Sequence, residues 1–215
     1  MSQQTFTRRV ATVAVSATLL AGCATVYTDE NFADYQNNHS TVAVLPFEVT
    51  IGQKSQAEGA DLAQIEAAEQ EEGVVFQRQL YSQFLKQWSK DKYTVKFQDV
   101  DETNVLLRRA DMDVDNIRNF TKAEIGQALG VDSVISGTIK REKPMGTGAA
   151  VASAFLLGFG GVTNSVNVHM TIHDSEDGSL LWSYDHEVGG GIGSSPEGVA
   201  KSLMKDTSKK FPYSK

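Results

Sequence analysis

Hydrophobic positions follow two different spacings along the chain. An apolar, β-branched run over Thr41–Phe47 predicts a buried strand. From Val74 onward, apolar side chains recur every three or four positions, which predicts a helix with one buried face that begins as early as Asp61. The side chains on this face are Phe76, Leu80, Tyr81, Phe84, Leu85 and Trp88.

Four further strands are predicted after this helix, from alternating or β-branched apolar residues. Asp177-Gly178 marks the turn of a hairpin between the last two. The predicted strands cover Tyr93–Phe97, Val131–Ile139, Val166–Ile172 and Leu181–Val188.

Capping residues mark two more helices. Thr121 and Glu124 fit a capping box, and Gly130 fits the end of the same helix. Ser195 followed by Pro196 fits an N-cap with proline at the first helical position. The element order is strand, helix, strand, short helices, strand, hairpin and helix. This order predicts an α/β fold, a mixed-sheet sandwich with helices packed on the sheet, in a single domain over residues 41–209.

The N-terminal residues have the layout of a secretory signal peptide. Arg8 and Arg9 precede an uncharged, mostly apolar run, Val10–Leu20. This run is shorter than the roughly 20 apolar residues that a membrane-spanning helix needs. Residues 1–22 are therefore predicted to be a signal peptide.

The lone cysteine of the chain follows the signal directly. Leu20-Ala21-Gly22-Cys23 resembles the lipobox of bacterial lipoproteins. The resemblance implies that the thiol of Cys23 carries a diacylglycerol, that the signal is cut before it, and that an acyl chain such as palmitate is added to the new amino group. In that family an aspartate after the cysteine tends to retain the protein at the inner membrane. Ala24 stands here, which implies a lipid-anchored protein on the periplasmic side of the outer membrane. The alternative is a cysteine that is buried or present by chance.

Residues 24–40 are polar and aperiodic. They are interpreted as a tether, so that residues 23–40 form the lipidated cysteine and its link to the domain. The alternative is that Tyr27, Phe32 and Tyr35 pack on the domain.

The chain is acidic, with a formal net charge of −7 and a pI of about 5.1. Because nucleic-acid binding needs clustered Lys and Arg, no nucleic-acid partner is expected. The acidic run Glu66–Glu72 is interpreted as the solvated start of the long helix, with a partner-binding surface as the alternative.

Three segments together resemble a group of envelope proteins: VAVLPF (42–47), IGQALGVDSVISGTI (125–139) and VNVHMTIHDSEDGSLLWSYDHEV (166–188). The group includes the TolB N-terminal domain, the curli-secretion (CsgG-like) lipoproteins, related exopolysaccharide-export lipoproteins and the activator lipoproteins of penicillin-binding proteins. The resemblance covers roughly residues 41–205. It implies a TolB-N-terminal-like, non-enzymatic domain that works by protein contacts at the outer membrane.

An apolar, glycine-rich insert at about residues 144–165 lies between two predicted strands and carries no charge. An exposed apolar patch of this kind favours association, so a partner is expected to cover it. The candidate contacts, with a membrane or with another subunit, are Val151, Phe155, Leu156, Leu157 and Phe159. The alternative is that the insert folds over the core of its own chain.

No enzyme motif is found. His169 and His173 lie on the polar side of one predicted strand and His186 lies on its partner, so a zinc or copper site can be drawn with Asp185 or Glu187. Strand residues four apart are separated by about 13 Å, too far to share one metal ion without a bend. We therefore expect no metal, no cofactor and no catalytic residues.

Three functions remain. The first is an assembly or accessory component of an envelope secretion or export machine that associates with itself or with envelope proteins. The second is a monomeric lipoprotein that reaches on its tether to regulate a peptidoglycan synthase. The third, the least favoured, is a metal-binding envelope enzyme. The insert favours the first, and the polar tether favours the second.

Overall fold

The computed structural model describes residues 25–52, 62–142, 165–189, 195–208 and 210–215. These residues form seven strands in one sheet, five α-helices and a short 3₁₀ turn (Ile117–Asn119). The strands are β1 (Val26–Thr28), β2 (Thr41–Val44), β3 (Glu48–Ile51), β4 (Lys96–Phe97), β5 (Ser133–Glu142), β6 (Ser165–Asp174) and β7 (Leu180–Gly189). The α-helices are α1 (Phe32–Asn38), α2 (Leu62–Trp88), α3 (Val100–Arg109), α4 (Lys122–Leu129) and α5 (Pro196–Thr207).

The sheet is mixed, and β5 lies at its centre. The strand order is β1-β7-β6-β5-β2-β4, and β3 also pairs with β5, beyond the end of β2. β5 runs parallel to β2 and β3 and antiparallel to β6. The predicted hairpin is present as β6 and β7. With helices packed on both faces, this arrangement confirms the predicted α/β class.

The predicted strand Thr41–Phe47 is shorter than expected and is followed by a second strand. β2 ends at Val44, because the chain steps away from the sheet at Pro46 and rejoins β5 as β3. The step brings the backbone close to α2, where a Cβ at Gly73 would lie 2.0 Å from the carbonyl oxygen of Phe47. Glycine at this position therefore lets α2 pack beside the start of β3.

The first face of the sheet is covered by α2 and α5, which enclose the larger of two apolar clusters. Phe84 of α2 lies in the middle of this cluster, stacked on Phe97 with 4.6 Å between ring centroids. Its ring also contacts Phe211 and Tyr93. The helical spacing that predicted α2 therefore identifies Phe76, Leu80 and Phe84 of this core correctly, whereas Trp88, predicted on the same face, is exposed because the helix ends there, beyond the sheet.

The second face is covered by helices only in part. α3 and α4 enclose a smaller apolar cluster over β2 and the start of β5, which includes Leu45, Ile125 and Val134. The predicted capping box of α4 is present: Thr121 Oγ1 accepts from the Glu124 backbone, and the helix ends at Gly130 with a left-handed φ of 65°. The side chains farther along β5, β6 and β7 on this face are polar.

The structure corrects the predicted tether for residues 26–38. β1 pairs with β7, and Phe32 of α1 is buried in the larger cluster with Tyr35 packed against it. At the other end, Phe211 and Tyr213 are also buried, beyond the predicted boundary at residue 209. The alternative in which the aromatic residues of this segment pack on the domain is therefore correct for Phe32 and Tyr35, whereas Tyr27 is exposed.

Among the residues described, no helix combines the length and the hydropathy that crossing a membrane requires.

Candidate functional site at one end of the sheet

The two strands that flank residues 143–164 meet at one end of the sheet. Glu142, the last residue of β5, pairs with Ser165, the first residue of β6, and Ser165 also pairs with Gly189 at the end of β7. We call this edge of the molecule the insert end, because residues 143–164 join Glu142 to Ser165. The segment 190–194 also leaves the sheet there.

The first turns of α2 lie at the same end. β3 runs parallel to β5 and ends where Ile51 pairs with Arg141, so the chain leaves β3 at the insert end. The backbone N–H of Ile51 donates to the Glu69 carboxylate of α2 over 2.7 Å. The end of β3 and the first turns of α2 therefore lie together at this end of the sheet.

The first residue of β1 also points toward this end. β1 runs antiparallel to β7, and the carbonyl oxygen of Thr25 accepts from the backbone N–H of Asp185 over 3.1 Å. Thr25 therefore lies on the Gly189 side of β1. Cys23 lies two residues before Thr25, and two residues of fully extended chain span at most about 7 Å.

A buried hydrogen-bond network fixes β1 and α1 to the rest of the domain. The ring of His39 bonds through Nδ1 to the Tyr213 hydroxyl (2.6 Å) and through Nε2 to the Asp174 carboxylate (2.9 Å). The Tyr213 hydroxyl also contacts the Ser133 hydroxyl over 2.9 Å. Because the network joins the end of α1, the C-terminus and two strands, the N-terminal segment cannot move freely from the sheet.

A buried ion pair strengthens the insert end. Arg141 of β5 bonds to the Glu72 carboxylate of α2, and both side chains are less than a tenth exposed. Burial raises the pKa of Glu72, and the charge of Arg141 opposes that shift. Glu69 is buried as well, so the interpretation of Glu66–Glu72 as a solvated run is wrong for these two residues. The only sequence signal for this ion pair is Arg141 itself, a charged residue close to the end of an apolar strand.

The four histidines do not converge. His169 bonds to Asp185 on the second face of the sheet, whereas His186 faces α5, where it contacts the Ser202 hydroxyl over 3.1 Å. His39 belongs to the network described above. Within the described ranges, no group of three or more His, Cys, Asp or Glu side chains is placed to hold a metal ion.

The site residues predicted from the sequence fall outside the described residues. They are Leu20, Ala21, Gly22 and Cys23 of the signal and anchor, and Val151, Phe155, Leu156, Leu157 and Phe159 of the insert. The structure describes the points at which these segments join the domain.

Comparisons with known proteins give a fold likeness at low identity. No protein-family model matches the chain, and no curated protein sequence matches it. The lipoprotein GNA1162 from Neisseria meningitidis is 15% identical over 80% of this chain and 97% of its own, with a TM-score of 0.44. The PelC dodecamer from Paraburkholderia phytofirmans is 16% identical over 86% of this chain and 94% of its own, with a TM-score of 0.38. The C-terminal domain of LpoB from Salmonella enterica is 9% identical over 70% of this chain and 83% of its own, with a TM-score of 0.38.

At such identities and TM-scores, these likenesses assign neither a family nor a function. The mixed sheet and its helices are established by the structure itself, and the finer TolB-N-terminal-like arrangement stays a prediction.

Proposed function

We propose that this protein is a non-enzymatic lipoprotein, acylated at Cys23 and held on the periplasmic side of the outer membrane. There it serves as an assembly or accessory component of an envelope secretion or export machine. Its contacts with further copies of itself, or with envelope partners, use the apolar side chains of residues 151–159.

One observation carries the proposal. The first residue of β1 points toward the insert end, and the strands that flank residues 143–164 stop at that same end. An anchor at Cys23 would therefore lie on the side of the domain that carries the apolar insert. Subunits anchored this way would present the same apolar segment at a common height above the membrane, which favours lateral association.

The short anchor disfavours a regulator that reaches far from the membrane. β1 and α1 are packed on the domain. An anchor at Cys23 would therefore be separated from Thr25 by at most about 7 Å of extended chain. A regulator on a long tether would need residues 26–38 to leave the sheet. That step would expose Phe32, which is 6% exposed in the folded domain.

The free energies of burial and association favour several insert contacts in one assembly over a single contact. Burying the four large side chains Phe155, Leu156, Leu157 and Phe159 contributes about 6–12 kcal/mol at roughly 1.5–3 kcal/mol each. Association in solution costs an estimated 4–15 kcal/mol. One insert contact is thus marginal, whereas a closed assembly on a membrane gains from several contacts and from the confinement of its subunits to one plane.

The deciding experiment is the native mass of the acylated protein in mild detergent. Three proteins are compared: the wild type, a variant lacking Gly148–Val162, and a full-length variant with Phe155, Leu156, Leu157 and Phe159 changed to serine. We expect a defined oligomer for the wild type and a monomer for both variants. A matched control, with Thr147, Thr163 and Asn164 changed to alanine, keeps the length and every large apolar side chain of the insert and should retain the oligomer.

A monomeric wild type would overturn self-association, and crosslinking in membranes would then ask whether the insert contacts a different envelope protein. An oligomer that survives both insert variants would place the interface elsewhere.

The anchor is tested separately with Cys23→Ser. We expect the wild type to incorporate labelled palmitate and to sediment with the outer membrane. Cys23→Ser should lose the label and leave the membrane fraction. Labelling that persists in Cys23→Ser would contradict acylation at this residue.

A further inference from the structure

A polar cleft of about 410 Å³ opens on the second face of the sheet, beside the part that α4 covers. Its floor is formed by β5 and β6, one wall by the β2–β3 step, and the other by the 3₁₀ turn and the start of α4. This volume lies in the range of small-molecule sites, which is roughly 300–1,000 Å³. The first turns of α2 also line the cleft, through Glu66, Glu69 and Gln70.

Strand register places polar side chains in rows across the floor. Ser136 of β5 pairs with Thr171 of β6, and their hydroxyls are 3.0 Å apart. In the next row, Thr138 lies between Glu48 of β3 and His169 of β6. A floor of hydroxyl and imidazole groups offers hydrogen bonds to a ligand rather than an apolar contact surface.

Lys122 supplies a cation that makes no direct contact with an acceptor among the described residues. It is the first residue of α4, and its side chain is half-buried in the cleft wall. Its ammonium group has no hydrogen bond or ion pair in the part of the chain that the structure describes. Burial lowers the pKa of Lys122, and the charge of Glu48 opposes that shift. A half-buried ammonium group without a partner loses hydration and gains no direct contact in return.

His173 supplies a second unsatisfied group nearby. Its Nδ1 is buried and has no hydrogen-bond partner within the described residues. Burial lowers the pKa of His173 to about 4, and the charges of Lys122 and His169 add to that shift. Neutral at pH 7, this imidazole can donate one hydrogen bond or become a cation if a negative charge enters the cleft.

The carboxylates of the cleft are already satisfied or solvated. Glu69 accepts from the backbone of Ile51, and Asp185, beside the cleft, pairs with His169. Glu48 and Glu66 are exposed to water. The groups that lack a partner are therefore a lysine and an imidazole, which points to an anionic rather than a cationic ligand.

We propose that the cleft binds a small oxyanion, a phosphate or carboxylate group, between Lys122 and His173 above the hydroxyls of Ser136 and Thr171. The anion pairs with the Lys122 ammonium and accepts a hydrogen bond from the His173 ring. Arg118 at the rim adds long-range attraction. The remaining volume accommodates the part of the ligand to which the oxyanion is attached.

Histidine NMR tests the proposal, because the chain has only four histidines. The mature, acylated protein is labelled with ¹³C-histidine and titrated with pH, with and without inorganic phosphate and then acetate. An anion beside the ring favours the imidazolium, so we expect the pKa of His173 to rise by about one unit or more in the presence of the bound anion. The signals of His39 and His186, which lie outside the cleft, should not respond.

Two lysine variants separate this site from general attraction of anions. Lys122→Met should abolish the shift of His173 and weaken phosphate binding, measured by calorimetry, at least tenfold. Lys140→Met removes an exposed lysine from the same sheet face outside the cleft and should change the affinity less than twofold.

The proposal is overturned if millimolar phosphate and acetate both leave His173 unshifted, or if the shift survives in Lys122→Met. A response to only one of the two anions assigns the site to phosphate or carboxylate ligands. If Lys122→Met fails to fold, Lys122→Gln replaces it with the same expected loss. The native-mass experiment on the insert is independent of every one of these results.

Discussion

Two buried histidines on opposite faces of the sheet differ in their hydrogen bonds, although the first face also holds buried polar atoms without a partner among the described residues, Tyr93 OH and Trp182 Nε1. On the face covered by α2 and α5, the ring of His186 contacts Ser202 through Nε2 and lies 3.6 Å from the Asp206 carboxylate through Nδ1. On the face that α3 and α4 cover in part, Nδ1 of His173 is buried without a partner among the described residues. Burial lowers the pKa of both histidines, so the difference lies in the hydrogen bonds.

Changes on the two faces of the sheet should therefore have different consequences. The first face is closed by α2 and α5 around the larger apolar cluster, so changes there should mainly affect folding. A face with unmatched polar groups around a cleft accepts a cost that a ligand can offset. Four changes test this division, in order of decreasing expected effect.

The greatest loss of stability is expected at the centre of the covered face. Phe84→Ala removes a fully buried ring that contacts Phe97, Tyr93 and Phe211, so it should lower the free energy of unfolding by about 3–5 kcal/mol. Urea denaturation measures the change. A loss below about 1 kcal/mol, smaller than a buried ring should contribute, would mean that this cluster does not form the central core.

The second-largest loss of stability is expected at the buried ion pair of the insert end. Arg141→Met leaves the Glu72 carboxylate buried without that charge, so the loss should be about 3 kcal/mol, within the range for a broken buried pair. Glu72→Met combined with Arg141→Met removes both charges and should recover most of the loss. If the double variant is as unstable as Arg141→Met alone, the cost comes from another contact of the arginine rather than from a stranded carboxylate.

The pH dependence of stability should reveal His173. Its pKa is about 4 in the folded protein against an ordinary value of 6.5, so the unfolded chain binds this proton more readily. The stability contribution is complete above pH 6.5 and is lost as the pH falls toward 4. Allowing for partial exposure, the wild type should lose about 1–2 kcal/mol more than His173→Gln over this interval. Urea titrations of both proteins at the two pH values give the difference, because the other ionisable groups largely cancel. Equal losses would contradict a shifted pKa.

The weakest effect is expected on the open part of the second face. Ser183→Ala alters a partly exposed hydroxyl in the row of Ser136 and Thr171, so the free energy of unfolding should change by less than about 0.5 kcal/mol. Thermal unfolding beside Phe84→Ala supplies the contrast. A loss comparable to that of Phe84→Ala would remove the distinction between the two faces.

Features set by neighbouring residues were predicted well from the sequence. The β6–β7 hairpin, the capping box of α4 and the buried stripe of α2, except for the exposed Trp88, are present as expected, because each depends on a local period, turn or cap. β1, α1 and β3 were not predicted, and α3 was expected only as one of the short helices, without bounds. β3 has only four residues and owes its position to pairing with β5, far along the chain.

The candidate sites were predictable only in part. The signal, Cys23 and the apolar insert are linear motifs, and they remain predictions, since they lie outside the described residues. The cleft joins residues from β3, β5, β6 and α4, and neither Lys122 nor Glu48 stands out in the sequence. His169 and His173 do stand out, but as a possible metal pair rather than as parts of two different environments.

Local sequence was enough to establish the α/β class, the long amphipathic helix and the hairpin, because periodicity and capping act over a few residues. Tertiary contacts were needed to show that residues 26–38 belong to the domain, that Glu69 and Glu72 are buried, and that β1 pairs with the middle of β7 with its first residue toward Gly189. Each of these depends on contacts between residues distant in sequence, such as His39 with Asp174 and Glu72 with Arg141. From sequence alone a polar side chain is expected to face water, because a partner that is distant in sequence becomes visible only in the fold.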